Sequence, residues 1–364
     1  MHRIVKWLTK SSTKNSSERG AVTTIFAVVV LMGVLSGLFA LVVDGGRIIL
    51  ERRVLQNSAD AAAYYVAQQC VINISICSGS NPELTADNNS PYGFSAISEI
   101  CGSSLFGACA PLSTNVLDCK STMVNENNYV RIRTSTETPS GTSLTPIFSS
   151  LFGAGETSLT GCAQAKWAPS SRAQIKLPIA ISTCDFKGVS SANQLIGPFT
   201  GTQAACTGSR TLDGAVNTGN YAGITPIQVS NPDCVLGSRV SVGENLNQVV
   251  TASMDSLCGG LLSRLQQARQ GGEFNYIPVY STSNVVGTSR QLPVVSFVRL
   301  KIVAFKYKGT ESRNSGVTGA FPASCNSTNL CVVGQFTKGV APTGKIDSNT
   351  SVPSLGVQAV ELVP

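Results

Sequence analysis

The sequence predicts a membrane-anchored α+β protein: one long N-terminal transmembrane and amphipathic helix, followed by a disulfide-bearing, β-rich extracytoplasmic region. Three observations carry this. Residues 21–43, AVTTIFAVVVLMGVLSGLFALVV, run 23 positions without a charge. All twelve cysteines lie beyond that run, from Cys70 to Cys331. Most of the second half of the chain consists of short apolar or alternating segments separated by Gly, Ser and Asn turns. The 364 residues leave room for about two folded units. A charged fraction of 13%, against roughly 25% in ordinary soluble domains, and a mean hydropathy of +0.15 place strongly apolar sequence somewhere in the chain.

At 1.5 Å per helical residue the uncharged run crosses roughly 30 Å of hydrocarbon. A cleaved signal peptide would have an apolar core of about 7 to 15 residues before a small-x-small site. Here the candidate Leu38-Phe39-Ala40 has a bulky residue in the first small position, so an uncleaved anchor is expected. Arg3, Lys6, Lys10, Lys14 and Arg19 precede the span, and Arg47, Arg52 and Arg53 follow it. That bias predicts a cytoplasmic N-terminus and an extracytoplasmic remainder in the cell membrane. An even number of cysteines on the far side fits an oxidising compartment, with Cys70, Cys77, Cys101, Cys109, Cys119, Cys162, Cys184, Cys206, Cys234, Cys258, Cys325 and Cys331 as disulfide candidates. The tightest spacings are Cys325 to Cys331 and Cys70 to Cys77, and neither forms the clustered CxxC pairs of a metal site.

After the span, DGGRIILERRVLQNSADAAAYYVAQQC repeats Ile48, Leu55 and Ala62 at seven-residue intervals, with Ala59 and Val66 one turn after the last two. The spacing predicts an amphipathic helix that continues the membrane helix, with Gly45 and Gly46 as a joint. Gly33 and Gly37 form a GxxxG, and Ser36 and Ala40 a second small pair, on which another helix could approach closely.

The run ERGAVTTIFAVVV from Glu18, then VDGGRIILERRVLQNSADAAAYYVA from Val43, resembles the N-terminal module of the tight-adherence (Tad/Flp) pilus-assembly proteins, the TadE/TadG-like family. The matching positions are Arg19, Gly20, Asp44, Gly46, Arg47, Arg52, Leu55, Gln56, Ala59, Asp60, Ala61 and Ala62, over about residues 18–67. Pilin-like members are cut after a glycine and carry glutamate at the fifth mature position. With Gly20 as that glycine, Ile25 stands there, so the resemblance implies the anchored, TadG-like branch. It implies pilus-assembly or pilin proteins as partners besides membrane lipid. Helix contact falls to Gly33, Gly37, Leu55, Ala59 and Ala62, and polar fixing at the membrane edge to Asp44, Arg47 and Asp60.

Beyond the helix, residues 76–93 read as loop, and NYVRIRTS at 128–135 as a strand with Val130 and Ile132 inward and Tyr129, Arg131 and Arg133 outward. Pro146, Ile147, Phe148, Leu151 and Phe152 suit a short amphipathic helix, Gly153 and Gly155 a turn, and residues 157–166 a second strand. This unit also resembles the family at Leu151, Phe152, Gly153, Ala163 and Ala165. LPIAISTCDF, CVLGSRVSV, IPVYSTSNVV, LPVVSFVRLKIVAFKYKG and NLCVVGQFTKGV then read as strands. Residues 244–268 read as a helix on Leu246, Val249, Val250, Met254, Leu257, Leu261, Leu262 and Leu265, ended by Gly271 and Gly272. The expected organisation is a cytoplasmic basic arm at 1–20, the transmembrane helix at 21–43 and an extracytoplasmic amphipathic helix at 44–70. A small α+β unit at 71–170, a β-rich domain at 171–340 and a tail at 341–364 follow.

The lone histidine, His2, excludes imidazole zinc sites and histidine-base catalysis. Without its first twenty residues the chain keeps 22 basic and 19 acidic residues of 27 and 20, a near-neutral exterior with no basic run interleaved with aromatics, so nucleic acid is not an expected partner. No GxSxG, P-loop or GxGxxG occurs, and neither a cofactor nor a small-molecule substrate is indicated. The nearest approach to the Asp-x-Ser-x-Ser cation site of a von Willebrand A domain, Asp347 to Ser351, has Asn349 in its third place, and no metal is expected there. The expected function is a non-enzymatic, single-pass envelope component of pilus assembly, acting by helix packing and extracytoplasmic protein contacts. The alternative is a membrane-anchored adhesin or carbohydrate-binding module independent of a pilus.

Overall fold

The structure, a computed structural model, describes residues 16–90, 95–103, 105–110, 128–138, 141–198, 223–228, 238–249, 260–281, 284–286, 289–326, 329–346 and 352–363. Helix α1 (Ser16–Phe39) runs through the apolar stretch, one π turn (Ala40–Asp44) follows, and α2 (Gly45–Ile72) continues without a break. The expected joint at Gly45 and Gly46 does not form: Gly45 is helical at φ −63° and ψ −41°, and Gly46 lies within α2. A helix keeps its backbone groups paired where water is scarce, and the irregularity is absorbed by widening one turn instead. Among the described residues this is the one helix long and apolar enough to cross a membrane. Leu41 and Val42 are 74% and 66% exposed. A helix apolar on every side is consistent with anchoring in lipid.

Two short helices, α3 (Ile74–Cys77) and α4 (Pro82–Asn88), follow. The Asn73 side chain accepts the Ser75 N–H at 2.9 Å and caps α3, and the Cys70–Cys77 disulfide closes that turn. α4 corrects the loop expected at 76–93. Pro82 at its first position needs no amide partner and Glu83 suits its N-terminal dipole, signals outweighed in the sequence by the surrounding Asn, Ser and Gly.

The strands are β1 (Ala96–Gly102), β2 (Tyr129–Ser135), β3 (Thr160–Pro169), β4 (Arg172–Ile175), β5 (Ile179–Ser182), β6 (Ser190–Ile196), β7 (Ile224–Gln228) and β8 (Ser238–Ser241). Then come β9 (Asn245–Gln248), helix α5 (Leu261–Gly271), β10 (Phe274–Tyr280), β11 (Asn284–Val286), β12 (Ser289–Tyr307), β13 (Thr310–Arg313), β14 (Cys331–Thr337), β15 (Gly339–Val340) and β16 (Val357–Val363). One sheet has the order β1-β2-β3-β16-β15, and a larger one β10-β5-β7-β9-β12-β14-β6, with β11 and β13 also on β12 and β10 also paired to β12. β4 and β8 form a ribbon.

Among the described residues the chain groups into two compact units. One lies within Met1–Ala61, Glu83–Glu99 and Ile132–Cys162, and the other within Ala62–Pro82, Ile100–Arg131 and Ala163–Pro364. In the second unit β12, 19 residues long, is the spine. Val298, Leu300 and Ile302 enter one apolar cluster at every second residue, and Phe305 and Tyr307 enter the same cluster with the parity reversed. The cause is a bulge between Ile302 and Ala304 in its pairing with β14, since one extra residue flips the faces that follow. Leu292, Val294 and Phe297 fill a second cluster with Ile227, Leu246 and Tyr280.

Three further expectations need correction in this unit. Residues 244–268 are not one helix. Leu246 sits in β9, and only Leu261 and Leu265 of the apolar series form the buried face of α5, which Gly272 ends in the left-handed conformation at φ 61°. Gly260, at φ 89°, cannot continue a helix, and ladder pairing with β7 and β12 claims Asn245–Gln248. Val250, Met254 and Leu257 lie outside the described residues. Residues 341–364 carry β16, whose Gln358–Val363 pair antiparallel with Gln164–Pro169. Arg131, expected outward, is buried, and its Nη2 donates to the Ala110 carbonyl at 2.6 Å.

Asp185 ends the 3-10 turn Thr183–Asp185 and accepts the Gly223 N–H at 2.6 Å. Burial pushes its carboxyl from the ordinary 3.8 up to about 6, against that hydrogen bond and the nearby Lys187. Between those values the folded chain holds this proton and the unfolded chain does not, so the contribution of Asp185 to folding stability falls as pH rises from about 4 to about 6. Asp185→Asn keeps an oxygen for Gly223 and should abolish that fall, worth about 3 kcal/mol. Urea unfolding of the detergent-solubilised chain at pH 4, 5, 6 and 7 checks it, and parallel curves for the two proteins would contradict it.

Candidate functional site at the membrane edge

The first unit is organised by the point where the helix leaves the apolar stretch. The π turn buries Ala40 and Asp44, four residues apart, while Leu41 and Val42 face outward. Asp44, the first residue past the stretch, is thereby turned toward residues 147–149. Its Oδ1 accepts the Ile147 N–H at 2.9 Å. Its Oδ2 accepts the Phe148 N–H at 3.0 Å, the Ser149 N–H at 2.6 Å and the Ser149 hydroxyl at 2.7 Å. These amides open the 3-10 turn Ser149–Phe152, whose own N-cap, Phe148, has no side-chain bond to offer. The first N–H groups of any helical turn lack internal partners, and Asp44 caps them from over a hundred positions away. The backbone N–H of Ser149, with the other donors, holds the Asp44 carboxyl well below the usual carboxylate range against its burial.

Three residues further, Arg47 Nη1 donates to the Thr145 carbonyl at 3.2 Å. Asp44, Arg47, Ile48, Leu144, Thr145 and Pro146 line much of a cleft of about 150 Å³. Its floor is the bridge in which Leu144 and Thr157 exchange N–H···O bonds at 2.8 and 3.1 Å. Beside it the Glu156 carboxylate accepts the Ser143 hydroxyl and, at 3.4 Å, that of Thr145.

Higher on α2 the docking is closer. The Gln56 amide behaves like a strand residue: Nε2 donates to the Cys162 carbonyl at 2.9 Å and Oε1 accepts the Cys162 N–H at 3.3 Å. Nε2 also reaches Asp60 Oδ1 at 3.0 Å, and the Thr134 hydroxyl donates to the Leu55 carbonyl at 2.9 Å. Burial raises the Asp60 carboxyl and the Gln56 N–H counters it. Gly161 lets β3 touch the helix backbone, for a Cβ there would stand 2.5 Å from the Leu55 carbonyl carbon and 2.7 Å from the Gln56 nitrogen.

Of the residues the sequence singled out, Asp44 and Arg47 come together at the membrane edge, and Asp60 lies four turns further along with Gln56. Leu55, Ala59 and Ala62 have no exposed surface in this single chain. Expected against a partner helix, they are covered by their own chain. Gly33 and Gly37 have nothing within 4 Å, so their face of α1 is open. Cys70–Cys77, Cys101–Cys109 and Cys325–Cys331 are disulfides, Cys162 and Cys184 are also disulfide-bonded, and among the described residues no cysteine is free. Cys119, Cys206, Cys234, Cys258 and the Asp347–Ser351 run lie outside the described residues. Among the described residues no three His, Cys, Asp or Glu side chains are placed to hold a metal. Sequence reading missed Gln56 as a backbone clamp and the partners Thr134, Ser149 and Cys162. The one available signal was the uncharged stretch from Thr138 to Gly155, which marks a segment made to lie against something apolar.

Fold and site define a chain whose N-terminal helix, long and apolar enough to cross a membrane, is capped and clamped just past its apolar stretch by residues 145–162 of its own unit. Residues 20–69 match the family model described as "Putative Flp pilus-assembly TadE/G-like", so this N-terminal module is that of the Tad/Flp TadE/TadG-like family. No curated protein and no solved structure matches the chain.

Two outcomes test this reading of the site. Asp44→Asn keeps the size but leaves one acceptor oxygen for four donors, so the amides of Ile147, Phe148 and Ser149 should exchange hydrogen roughly tenfold faster or more. Unchanged protection would show that Asp44 is not the cap. Gly161→Ala should destabilise the chain by about 1–3 kcal/mol through overpacking. Gly155→Ala, where nothing lies within 4 Å, should be near neutral in the same urea titration.

Proposed function

We propose that this chain is a TadG-like, single-pass, non-enzymatic envelope component of Tad/Flp pilus assembly. The N-terminus is cytoplasmic, and the exterior makes protein contacts outside the membrane. The observation that carries this is the match of residues 20–69 to the pilus-assembly module, joined to one helix able to cross a membrane. The polar positions of that module, Asp44, Arg47 and Gln56, are spent on this chain's own residues 144–162. They set the exterior on the anchor, and partner contact falls to surfaces that remain open. On α1 that surface is the Gly33 and Gly37 face, where a second helix can approach closely.

The test is disulfide crosslinking in membranes, with single cysteines at Gly33 and Gly37, in cells with and without the neighbouring pilus genes. Crosslinks to a pilin or assembly protein at these sites, absent in cells without the pilus genes, are expected. Crosslinks absent at both, together with glycan or surface binding by the exterior in cells lacking the pilus genes, would replace this reading with an anchored adhesin.

A further inference from the structure

The segment that Asp44 caps has a property the capping alone does not require. From Thr138 to Gly155 it carries no charge, yet at its tip Ile147 is 53% exposed. Next to it the Phe148 ring packs on Phe39, with centroids 6.2 Å apart. Phe39 belongs to the apolar stretch, four residues before its end at Val43, or about 6 Å below that end along the helix axis. The tip of the segment therefore lies at the depth of the last turn of the span. Leu41 and Val42 are outward on the same stretch of helix.

Irregular backbone is tolerated near lipid only where its polar groups are paired internally. Much of this segment's backbone is paired in that way. Asp44 takes the N–H groups of Ile147, Phe148 and Ser149, and Arg47 donates to the Thr145 carbonyl. Ser150 Oγ donates to the Ile147 carbonyl, and the N–H groups of Gly153 and Ala154 close on the carbonyls of Ser150 and Ser149. Arg47, exposed and one turn beyond Asp44, stands at the level where a guanidinium reaches lipid phosphates while its stem stays against apolar surface.

We propose that residues 146–150 are a membrane foot, which sets Ile147 at the boundary between headgroups and acyl chains of the leaflet from which the helix emerges. The anchor then touches the bilayer at two places, the span and the foot, and Asp44 fixes the angle between them. A single helix leaves its exterior free to swing about the membrane normal, whereas a helix with a lateral foot holds it at one tilt and rotation. The proposal is independent of whether the chain meets a pilus.

The experiment is nitroxide depth measurement on the full chain in phosphatidylcholine–phosphatidylglycerol bilayers, with one label at a time on Ile147→Cys, Leu41→Cys or Ile72→Cys. Ile147 is exposed, so the label displaces no core. Leu41 reports lipid, and Ile72, exposed at the far end of α2, reports water. The label at 147 is expected to favour oxygen over a water-soluble nickel chelate about as strongly as that at 41, and several-fold more than that at 72. A ratio at 147 equal to that at 72 would overturn the foot. So would exclusion of both reagents, the sign of a protein seated on Ile147. An aqueous ratio at 41 would overturn the anchor along with it.

Discussion

A buried carboxylate at the end of a long apolar helix has to be met by donors, and nearly everything in the first unit follows from how Asp44 is met. Its four hydrogen bonds come from three consecutive residues that would otherwise begin a 3-10 turn with unpaired amides. Two groups that are each costly beside hydrocarbon, an anion and a set of orphan N–H donors, cancel one another. The π turn makes the meeting possible. One extra residue in that turn buries Asp44 along with Ala40 while Leu41 and Val42 stay exposed.

Above that point the helix and strands are joined by a different kind of contact. Gln56 exchanges both of its amide groups with the Cys162 backbone, Thr134 bonds to a helix carbonyl, and Gly161 removes the side chain that would keep them apart. Backbone-to-backbone approach of this closeness is possible because Gly161 presents no side chain to the Leu55 and Gln56 backbone. The polar and small residues shared with the pilus-assembly module thus serve first to build the unit.

The long strand β12 shows how the second unit fits one strand to two apolar clusters. Its bulge at Ile302–Ala304 inverts the alternation midway, so Val298 and Phe305, seven residues apart and of opposite parity, enter the same core. Alternation read as one unbroken pattern would have sent one of them to the opposite face.

Several features were legible in the sequence because they depend on short-range pattern. The anchor is fixed by 23 uncharged residues and the strands around β12 and β14 by alternation and turn residues, whereas the cysteines pointed to disulfides without their pairing, which Cys70–Cys77 and Cys325–Cys331 owe to proximity in the fold. Asp44 and Arg47 could be singled out as polar residues where lipid ends. Their partners could not, since Ile147 to Ser149 lie over a hundred positions away and carry no charge to advertise a role. The same holds for β9, where pairing with β7 and β12 overrode a helical apolar period, and for β16, which a Gly/Pro/Ser-rich approach disguised as a tail. Sequence by itself determined a helix long and apolar enough to cross a membrane and a β-rich, disulfide-bonded remainder, because hydrophobic patterning and turn chemistry are local. Tertiary structure alone decided what the residues at the membrane edge hold, because a hydrogen-bond partner is chosen by proximity in space.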